Sequence, residues 1–464
     1  MFASIVNTFS NCFKIPELKS RIGFTFLVLA ICRLAAYIRI PGLDGAALSE
    51  YLQQHAAGSG GVMNMYSLFT GGALENCAVG ALGIMPYISA TIVMQLLTAV
   101  VPQLSKAARE EGGRVKIIKL SRYLTVLLCI GQGLFMAISW ENPQTIFGGF
   151  VGRLVLYDNV WWYRFQTVLI LTTGTLLLMW LGEQITERGI GNGISLIITI
   201  GILARLPAAG QALVDMFMPP AGVEHVYNVG HAIALLLLLA AVVAGVIAVT
   251  QAQRKIPVQY AQRAVGRKIY SGGTSFLPLR LNFAGVMPII FAQAILMVPQ
   301  QLFQRIGSSY PSLKFFTRAG AALVDGAPLH LVIYTLMILF FSYFWTATQF
   351  NELQISDDLK KNGGYVPGVR PGQATSNYLH KAMSRITLAG AVFLTVIAVI
   401  PIILIKQMHI PPAVGTFFGG TSMLILVGVM LDTMRQMESH LMMRHYDGFL
   451  KGGRGGGSRL RGRF

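Results

Sequence analysis

The sequence predicts an all-α polytopic membrane protein with about ten transmembrane helices, arranged as two inverted halves of five helices each. Its 464 residues are 54% hydrophobic and only 12% charged, and the mean hydropathy is +0.58. An ordinary soluble domain has about 25% charged residues, so a water-soluble fold is excluded. The spacing of the apolar segments and a repeated passage predict the two halves.

Nine apolar stretches are long enough to cross about 30 Å of hydrocarbon. They run approximately over 22–38, 76–101, 120–139, 165–181, 232–250, 284–303, 329–350, 386–405 and 412–432. A tenth stretch, 193–206, is fifth in chain order, and it is shorter and interrupted by Arg205. No small-residue cleavage site follows the first apolar stretch, so we interpret it as a retained helix and not as a signal peptide.

A short passage occurs twice, roughly 200 residues apart. Residues 83–90 read Gly-Ile-Met-Pro-Tyr-Ile-Ser-Ala, and residues 285–292 read Gly-Val-Met-Pro-Ile-Ile-Phe-Ala. The first turn of a helix accepts a residue that has no N–H, so Pro86 and Pro288 each predict a helix start. A weaker match joins 193–198 to 420–425.

Repeated passages in matching order indicate two related halves. We expect an N-terminal half at 1–215, a C-terminal half at 216–438 and a basic, Gly-rich tail at 439–464. The composition of the tail predicts disorder at its end.

Lys and Arg concentrate in alternate connecting segments, which predicts the side of the membrane on which each segment lies. The base-rich segments are 102–122, 251–283, 351–385 and the tail, and the poorer ones are 39–75, 140–164, 207–230 and 304–328. The positive-inside rule places the first group and both chain termini in the cytoplasm. Because each half has five spans, the second half begins on the opposite side, and the repeats are inverted.

The net charge of +18 has two explanations, which the sequence leaves open. Positive-inside bias alone accounts for much of it. However, 251–283 and 351–385 are too long for simple turns, and together with the tail they would present a basic surface. Such a surface attracts ribosomal RNA, an acidic protein face or anionic lipids.

The sequence predicts no catalytic, metal-binding or cofactor site. The four cysteines, Cys12, Cys32, Cys77 and Cys129, lack metal-site spacing, and we interpret them as packing residues. The histidines form no HxxxH or HExxH pattern. The glycines of 189–193 do not follow a β-strand, so they predict a tight backbone bend and not a nucleotide loop.

The predicted spans contain no carboxylate except Asp432, near a cytoplasmic end. A carrier coupled to protons or sodium usually needs an Asp, Glu or His at mid-membrane, so this class of transporter is disfavoured. Arg33 is the lone deep charge, and we expect it to snorkel or to cap a carbonyl group. A charge-poor passage instead indicates an apolar constriction that gates by dewetting.

Five specific motifs lie along nearly the whole chain. They are Pro-Tyr-Ile-Ser-Ala at 86–90, Trp-Leu-Gly-Glu-Gln-Ile-Thr-Glu-Arg-Gly-Ile-Gly-Asn-Gly-Ile-Ser at 180–195, Leu-Pro-Leu-Arg-Leu-Asn-Phe-Ala-Gly-Val-Met-Pro at 277–288, Val-Pro-Gly-Val-Arg-Pro-Gly at 366–372 and Phe-Gly-Gly-Thr-Ser at 418–422. Together they resemble the SecY family of bacterial protein-conducting channels. The resemblance implies a clamshell hinged between spans 5 and 6, with an hourglass pore between its halves and a lateral opening between spans 2 and 3 and spans 7 and 8.

The resemblance places the constricting ring of the pore on six isoleucines: Ile88, Ile92, Ile194, Ile198, Ile290 and Ile425. The pattern of residues agrees with this assignment. Two pairs are spaced i,i+4, which puts both members of each pair on one helix face. Ile88 and Ile290 occupy matching places in the repeats, as do Ile198 and Ile425. Ordinary packing or lipid-facing isoleucines are the alternative.

The resemblance also implies a plug at 62–72, which includes Met63, Asn64, Met65 and Tyr66 and is bracketed by glycines. A plain re-entrant loop is the alternative. Gln95, Gln132 and Gln293 are polar groups at membrane depth on spans 2, 3 and 7. We expect them to bond across the lateral gate, or to act as simple links between helices.

Arg370 lies between two Pro-Gly pairs, at the position of the family's cytosolic partner-contacting arginine. The second docking loop would be the basic stretch that contains Arg254, Lys255, Arg263, Arg267 and Lys268. Lys255 stands where the family often has Arg, and lysine cannot make the bidentate contact that a guanidinium makes.

We therefore expect a protein-conducting channel, without enzymatic activity, in the bacterial plasma membrane. It would pass unfolded secretory chains across the membrane and release apolar segments sideways into it. The resemblance implies SecE and SecG as small membrane partners and a SecA motor or a ribosome as the driving partner. An inverted-repeat solute transporter is the first alternative, and a structural scaffold is the second.

Overall fold

The structure is a computed structural model of the chain. It describes residues 15–54, 69–109, 112–143, 152–218, 227–260, 263–265, 268–270, 273–309, 314–324, 326–408, 410–411, 414–415 and 421–452.

The described part is built mainly from helices, as the composition predicts. In the N-terminal half these are α1 Pro16–Leu34, α2 Gly45–Gln54, α3 Met85–Val100, α4 Pro102–Arg109, α5 Gly113–Glu141, α6 Val160–Arg188, α7 Gly193–Leu203 and α8 Leu206–Phe217. The C-terminal half contains α9 Val229–Gln251, α10 Met287–Ser309, α11 Lys314–Ala322, α12 Pro328–Gln349, α13 Glu352–Lys361, α14 Gln373–Gln407 and α15 Thr421–Gly452. Among the described residues of the C-terminal half there are also five strands: β1 Gln253–Tyr260, β2 Arg263–Val265, β3 Lys268–Tyr270, β4 Thr274–Arg280 and β5 Gly364–Tyr365.

Six helical segments of the described part are long and apolar enough to cross a membrane. They are Val115–Glu141, Val160–Arg188, Gly193–Phe217, Val229–Gln251, Pro328–Lys361 and Gln373–Gln407. Helices α1, α3, α10 and α15 lie at the remaining predicted positions, but they are shorter or more polar. A multi-pass membrane protein is therefore confirmed, while the count of ten spans stays a prediction.

The two copies of the repeated passage fold in the same way. Gly83 and Gly285 both have positive φ, +58° and +63°. In each copy a helix begins two residues later, at Met85 and Met287, so that a proline is its second residue. Positive φ is accessible to glycine because it has no Cβ. The helix starts predicted from the two prolines are confirmed.

Two predicted spans differ from the observed helices. The span predicted at 76–101 begins with irregular backbone, and its helix starts only at Met85. Before that point Ala78 bridges Arg39, and Gly174 of α6 packs so closely that an added Cβ would lie 2.3 Å from the Val79 carbonyl oxygen. The predicted short fifth span is longer than expected, because α8 continues after a break next to Arg205.

The C-terminal helix also differs from the sequence-based boundaries. Helix α15 continues to Gly452, well past residue 439, where the tail was expected to begin. The end of the tail, 453–464, lies outside the described residues.

The helices of each half pack mainly against one another. In the N-terminal half α6 contacts α1, α5 and α7, and α3 contacts α5, while in the C-terminal half α12 contacts α10 and α14, and α9 contacts α14 and α15. The main contacts between the halves are α3 with α10 and α7 with α15. These four helices therefore form the seam of the molecule.

The two long basic segments combine into one folded unit. Strand β1 pairs antiparallel with β4 along its length and, at its other edge, with the two-residue β5. Helix α13 packs against β5 and against the start of α14. We call the assembly of β1, β4, β5, α13 and the first turns of α14 the loop unit. The sequence predicted two separate loops here and no strands.

The loop unit has its own hydrophobic core, separate from the core between the membrane helices. Its buried members are Ile256, Leu279, Phe350, Val366, Leu379, Ala382, Met383 and Ile386. Ile256 and Val258 are the buried positions of β1, and the positions beside them are exposed. This alternation is typical of a strand with one buried face.

We expect Ile256→Ala to destabilise the loop unit while leaving the membrane helices folded. Ile256 is 1% exposed, and replacing a buried isoleucine by alanine typically costs about 2–5 kcal/mol. Protease cleavage within 253–280 in membrane vesicles should accelerate, whereas cleavage elsewhere should not. Phe276→Ala is the control, because this larger side chain of β4 is 58% exposed. Equal cleavage of both variants would contradict a separate core.

Candidate functional site

The six predicted ring isoleucines all belong to, or pack against, the main hydrophobic core of the membrane helices. We call these six residues the isoleucine cluster. Ile88 and Ile92 lie on α3, Ile194 and Ile198 on α7, Ile290 on α10 and Ile425 on α15. Five of them are at most 3% exposed, and Ile194 is partly buried against the same cluster. Each belongs to one of the four helices at the seam between the halves.

The contacts across the seam follow the internal repeat. Helix α3 contacts α10, which carries the matching residue of the other half, and α7 contacts α15 in the same way. Most of these isoleucines lie within the first turns of their helices. Branched apolar side chains offer water and ions no hydrogen-bonding partner, and five of these six are buried at the seam between the halves.

The residues Met63, Asn64, Met65 and Tyr66 of the predicted plug lie outside the described residues, and 69–72 are its described end. Gly71 and Gly72 both have positive φ, +62° and +86°. The Nη1 of Arg33 donates a hydrogen bond of 2.7 Å to the Gly71 carbonyl oxygen. Arg33 therefore caps a carbonyl group, as one of its two sequence-based interpretations predicted.

A second basic residue lies on the other side of the same segment. Arg205, at the break between α7 and α8, forms an ion pair with Glu75. A Cβ added to Gly71 would lie 2.9 Å from the Cα of Gly201 on α7. The end of the predicted plug segment is therefore held between α1 and α7 by the bond from Arg33 and by close packing against Gly201. The Arg205–Glu75 pair holds the residues that follow it.

The predicted gate glutamines lie on three neighbouring helices, Gln95 on α3, Gln132 on α5 and Gln293 on α10. Gln132 lines a cavity of about 340 Å³ between these helices, and the other lining residues are almost all apolar. Within the described part of the chain, the Oε1 atom of Gln95 is buried without a hydrogen-bond partner. Bonding between the glutamines across a gate stays a prediction.

Arg370 is exposed in the connection between β5 and α14 of the loop unit, and its role in docking stays a prediction. Gly368 and Gly372 on either side have φ of +80° and +98°. The hydroxyl groups of Thr375 and Ser356 donate to the carbonyl oxygens of Arg370 and Gly372, at 2.9 and 2.7 Å. The loop is thus held by hydrogen bonds while the guanidinium faces solvent.

Other basic residues predicted for docking belong to the same region. Arg254 and Lys255 are exposed on β1, and β1 pairs with β5 a few residues before Arg370. Arg263 and Lys268 lie on the hairpin of β2 and β3. Arg267 lies outside the described residues.

The interpretation of the cysteines holds for three of them. Cys32, Cys77 and Cys129 are buried free thiols, and Cys12 lies outside the described residues. Among the described residues, no group of three or more His, Cys, Asp and Glu side chains could hold a metal ion.

The family model for SecY matches residues 78–434. The protein translocase subunit SecY of Chlamydia trachomatis serovar D is 41% identical over 450 residues, 96% of this chain and 98% of that protein. The same subunit of Vibrio cholerae serotype O1 is 43% identical over 446 residues, 94% of this chain and 95% of that protein.

The chain belongs to the SecY family. The family resemblance drawn from the motifs is confirmed.

Solved structures support the SecY fold. A protein-conducting channel superposes with a TM-score of 0.59 at 18% sequence identity, covering 90% of this chain and 91% of that chain. A channel described with a SecY plug domain that stabilises its closed state gives a TM-score of 0.60 at 17% identity with the same coverage. Sec61 from a canine ribosome-channel complex gives 0.56 at 18% identity, also covering 90% and 91%.

We expect Ile425→Asn and Ile290→Asn to loosen the isoleucine cluster. An amide buried without a partner costs about 1–3 kcal/mol in proteins, which raises the population of an open state roughly 5- to 150-fold. Ion leak through the reconstituted channel should rise, and so should export of a reporter with a defective signal sequence. Ile425→Leu is the matched control, because it keeps the cluster apolar. If both asparagine variants left ion leak and the export of the defective-signal reporter unchanged, the ring assignment would be contradicted.

Proposed function

We propose that this chain is the central pore subunit of a protein translocation channel in a bacterial plasma membrane. It passes unfolded secretory chains across the membrane and releases apolar segments laterally into lipid. Family membership and the names of the relatives support the translocase function.

One observation carries the proposal: the two halves contribute six isoleucines to the main apolar core, all of them on the four helices that meet at the seam. Such a cluster can part around an extended polypeptide and close behind it, because its contacts are non-directional. It accepts side chains of any chemistry, which is what a channel for unfolded chains requires.

Lateral release is supported by the cavity between α3, α5 and α10. The cavity lies beside the contact of α3 with α10. Its apolar lining suits a hydrophobic segment that leaves the pore for lipid.

We propose that the loop unit is the docking site for the driving partner, a SecA motor or a ribosome, and that SecE and SecG complete the membrane complex. The held loop with its exposed Arg370 supports this assignment, as does the exposed Arg254 and Lys255 pair. The related canine Sec61 is described in a ribosome-channel complex.

A solute transporter with inverted repeats would need a charged or ion-binding site at mid-membrane. The deep charge of Arg33 is instead bonded to the carbonyl of Gly71. We therefore rank the transporter below the channel.

Crosslinking tests the channel directly. A photoreactive amino acid at Ile88 should crosslink to a secretory chain that is stalled during export, because that chain must pass the cluster. The same probe at Leu236, which is 68% exposed on α9, should give no crosslink. If both sites or neither site captured the stalled chain, the proposed path would be wrong.

We expect Arg370→Glu to reduce partner-driven export by at least about tenfold, equivalent to roughly 1.4 kcal/mol. The change places a negative charge where an acidic or phosphate-bearing partner binds, and it should leave packing intact because the side chain is exposed. Lys360→Glu on α13 is the control, since it makes the same charge change at an exposed lysine of the loop unit. Normal partner affinity and export in Arg370→Glu would remove this residue from the docking site.

A further inference from the structure

The turn between α6 and α7, at 189–193, is wedged tightly among three helices. Gly191 has φ of +90°, and a Cβ added there would lie 2.9 Å from Leu196 and 3.1 Å from the hydroxyl oxygen of Thr433 on α15. A Cβ added to Gly193 would lie 1.9 Å from the Gly182 carbonyl oxygen. The glycines permit this close approach, so the turn cannot shift without moving its neighbours.

Side chains from three helices accept hydrogen bonds from the backbone N–H groups of this turn. Ile190 N–H donates to the hydroxyl oxygen of Thr25 on α1 at 3.1 Å. Gly191 N–H donates to Oε1 of Gln436 on α15 at 2.8 Å. Gly193 N–H donates to the hydroxyl oxygen of Thr186 on α6 at 2.9 Å. Residues 189–191 and 193 are buried, whereas Gln436 as a residue is exposed. A buried N–H that loses its acceptor is destabilised.

The turn leads directly into a helix of the isoleucine cluster. The side chain of Asn192 caps α7 by accepting from the N–H groups of Ile194 and Ser195, at 3.1 and 3.4 Å. Ile194 is the second residue of α7, and Ile198 follows one turn later. The position of the turn therefore sets where these two side chains lie.

Gln436 shares a face of α15 with the cluster residue Ile425. The two are eleven residues apart, which is about three helical turns and about 16 Å along the axis. Helix α15 belongs to the C-terminal half and contacts α7 of the N-terminal half. The two halves are thus connected by an apolar contact at the cluster and by a hydrogen bond at the turn.

We infer that Gln436 is a positioning residue of the channel: through its bond to Gly191 it holds α7 against α15 and sets how tightly the isoleucine cluster closes. This inference rests on the proposed function and deepens it. The bond joins the halves three residues before Ile194 and about three helical turns from Ile425, so its loss weakens the hold of α15 on the start of α7.

The test compares Gln436→Met with Gln436→Glu in the full channel complex. Methionine keeps the length of the side chain but removes the acceptor, whereas glutamate keeps an acceptor oxygen. Gln436→Met should raise ion leak by about two- to tenfold. It should raise the export of a defective-signal reporter by a similar factor, measured as a ratio to the export of a normal-signal reporter. Gln436→Glu should restore near-normal values. Glu438→Met, at an exposed position of the same helix, is the control and should have no effect.

Thr25→Val provides a second route to the same result, because it removes the acceptor for Ile190 from α1. It should raise leak in the same direction at normal channel levels. If both Gln436→Met and Thr25→Val behave like the parent channel while Ile425→Asn leaks, the inference is overturned and the proposed function stands.

A double variant separates positioning from general weakening. In the Ile425→Asn background, Gln436→Met should add little leak if it acts through the cluster, since coupled residues are non-additive. Full additivity of the two effects would overturn the inference. If Ile425→Asn alone changed neither leak nor stringency, the ring assignment would fail and the inference would fail with it.

Discussion

The architecture depends on an apolar contact between two halves inside a membrane. Lipid tails are as apolar as isoleucine, so burying these side chains against one another gains little hydrophobic free energy. What remains is dispersion, which is weak for each atom pair and falls steeply with separation. The seam of α3, α7, α10 and α15 can therefore close against water and ions and still part at modest cost.

Polar contacts fix the relative positions of the helices, which the apolar seam alone does not fix. Arg33 bonds to the Gly71 carbonyl, Arg205 pairs with Glu75, and Gln436 accepts from Gly191. The first and third contacts satisfy main-chain groups of irregular backbone next to a seam helix, which have no intrahelical partner. The second joins two side chains at the break after α7. Hydrogen bonds are directional, so these contacts specify one arrangement of helices that dispersion alone would leave loosely defined.

Local sequence patterns predicted the membrane helices, and the repeated passage predicted two related halves. The six isoleucines were assigned from the family resemblance, and all six lie on the four helices of the seam. Pro86 and Pro288 located two helix starts because the constraint on proline acts within one turn. The predicted helix boundaries were wrong where tertiary contacts determine where a helix begins. The helix α3 starts nine residues later than expected, because the backbone before Met85 packs against α6 and bridges Arg39. No pattern within a short stretch of sequence indicates such contacts.

The sequence did not predict the strands of the loop unit, for two reasons. Strand β1 pairs with β5, which lies roughly 100 residues further along the chain. Pro257 also argues against a central strand, since proline cannot donate to a ladder. The structure resolves this conflict because β5 pairs only with Gln259 and Tyr260, so β1 has a neighbour on one side alone at Pro257. The bond of Gly191 to Gln436 spans 245 residues and has no sequence signal either.

The loop unit is attached to the membrane helices by very short connections. A single residue, Ala252, separates α9 from β1, and α14 begins three residues after Arg370. Arg435 of α15 additionally donates to the carbonyl oxygen of Thr250, in the last turn of α9. The unit is therefore joined to α9 and α14 without a long linker, and α9 is in turn bonded to α15. A force applied to the loop unit would therefore reach α9 and α14 directly, because no long flexible segment lies between the unit and these helices.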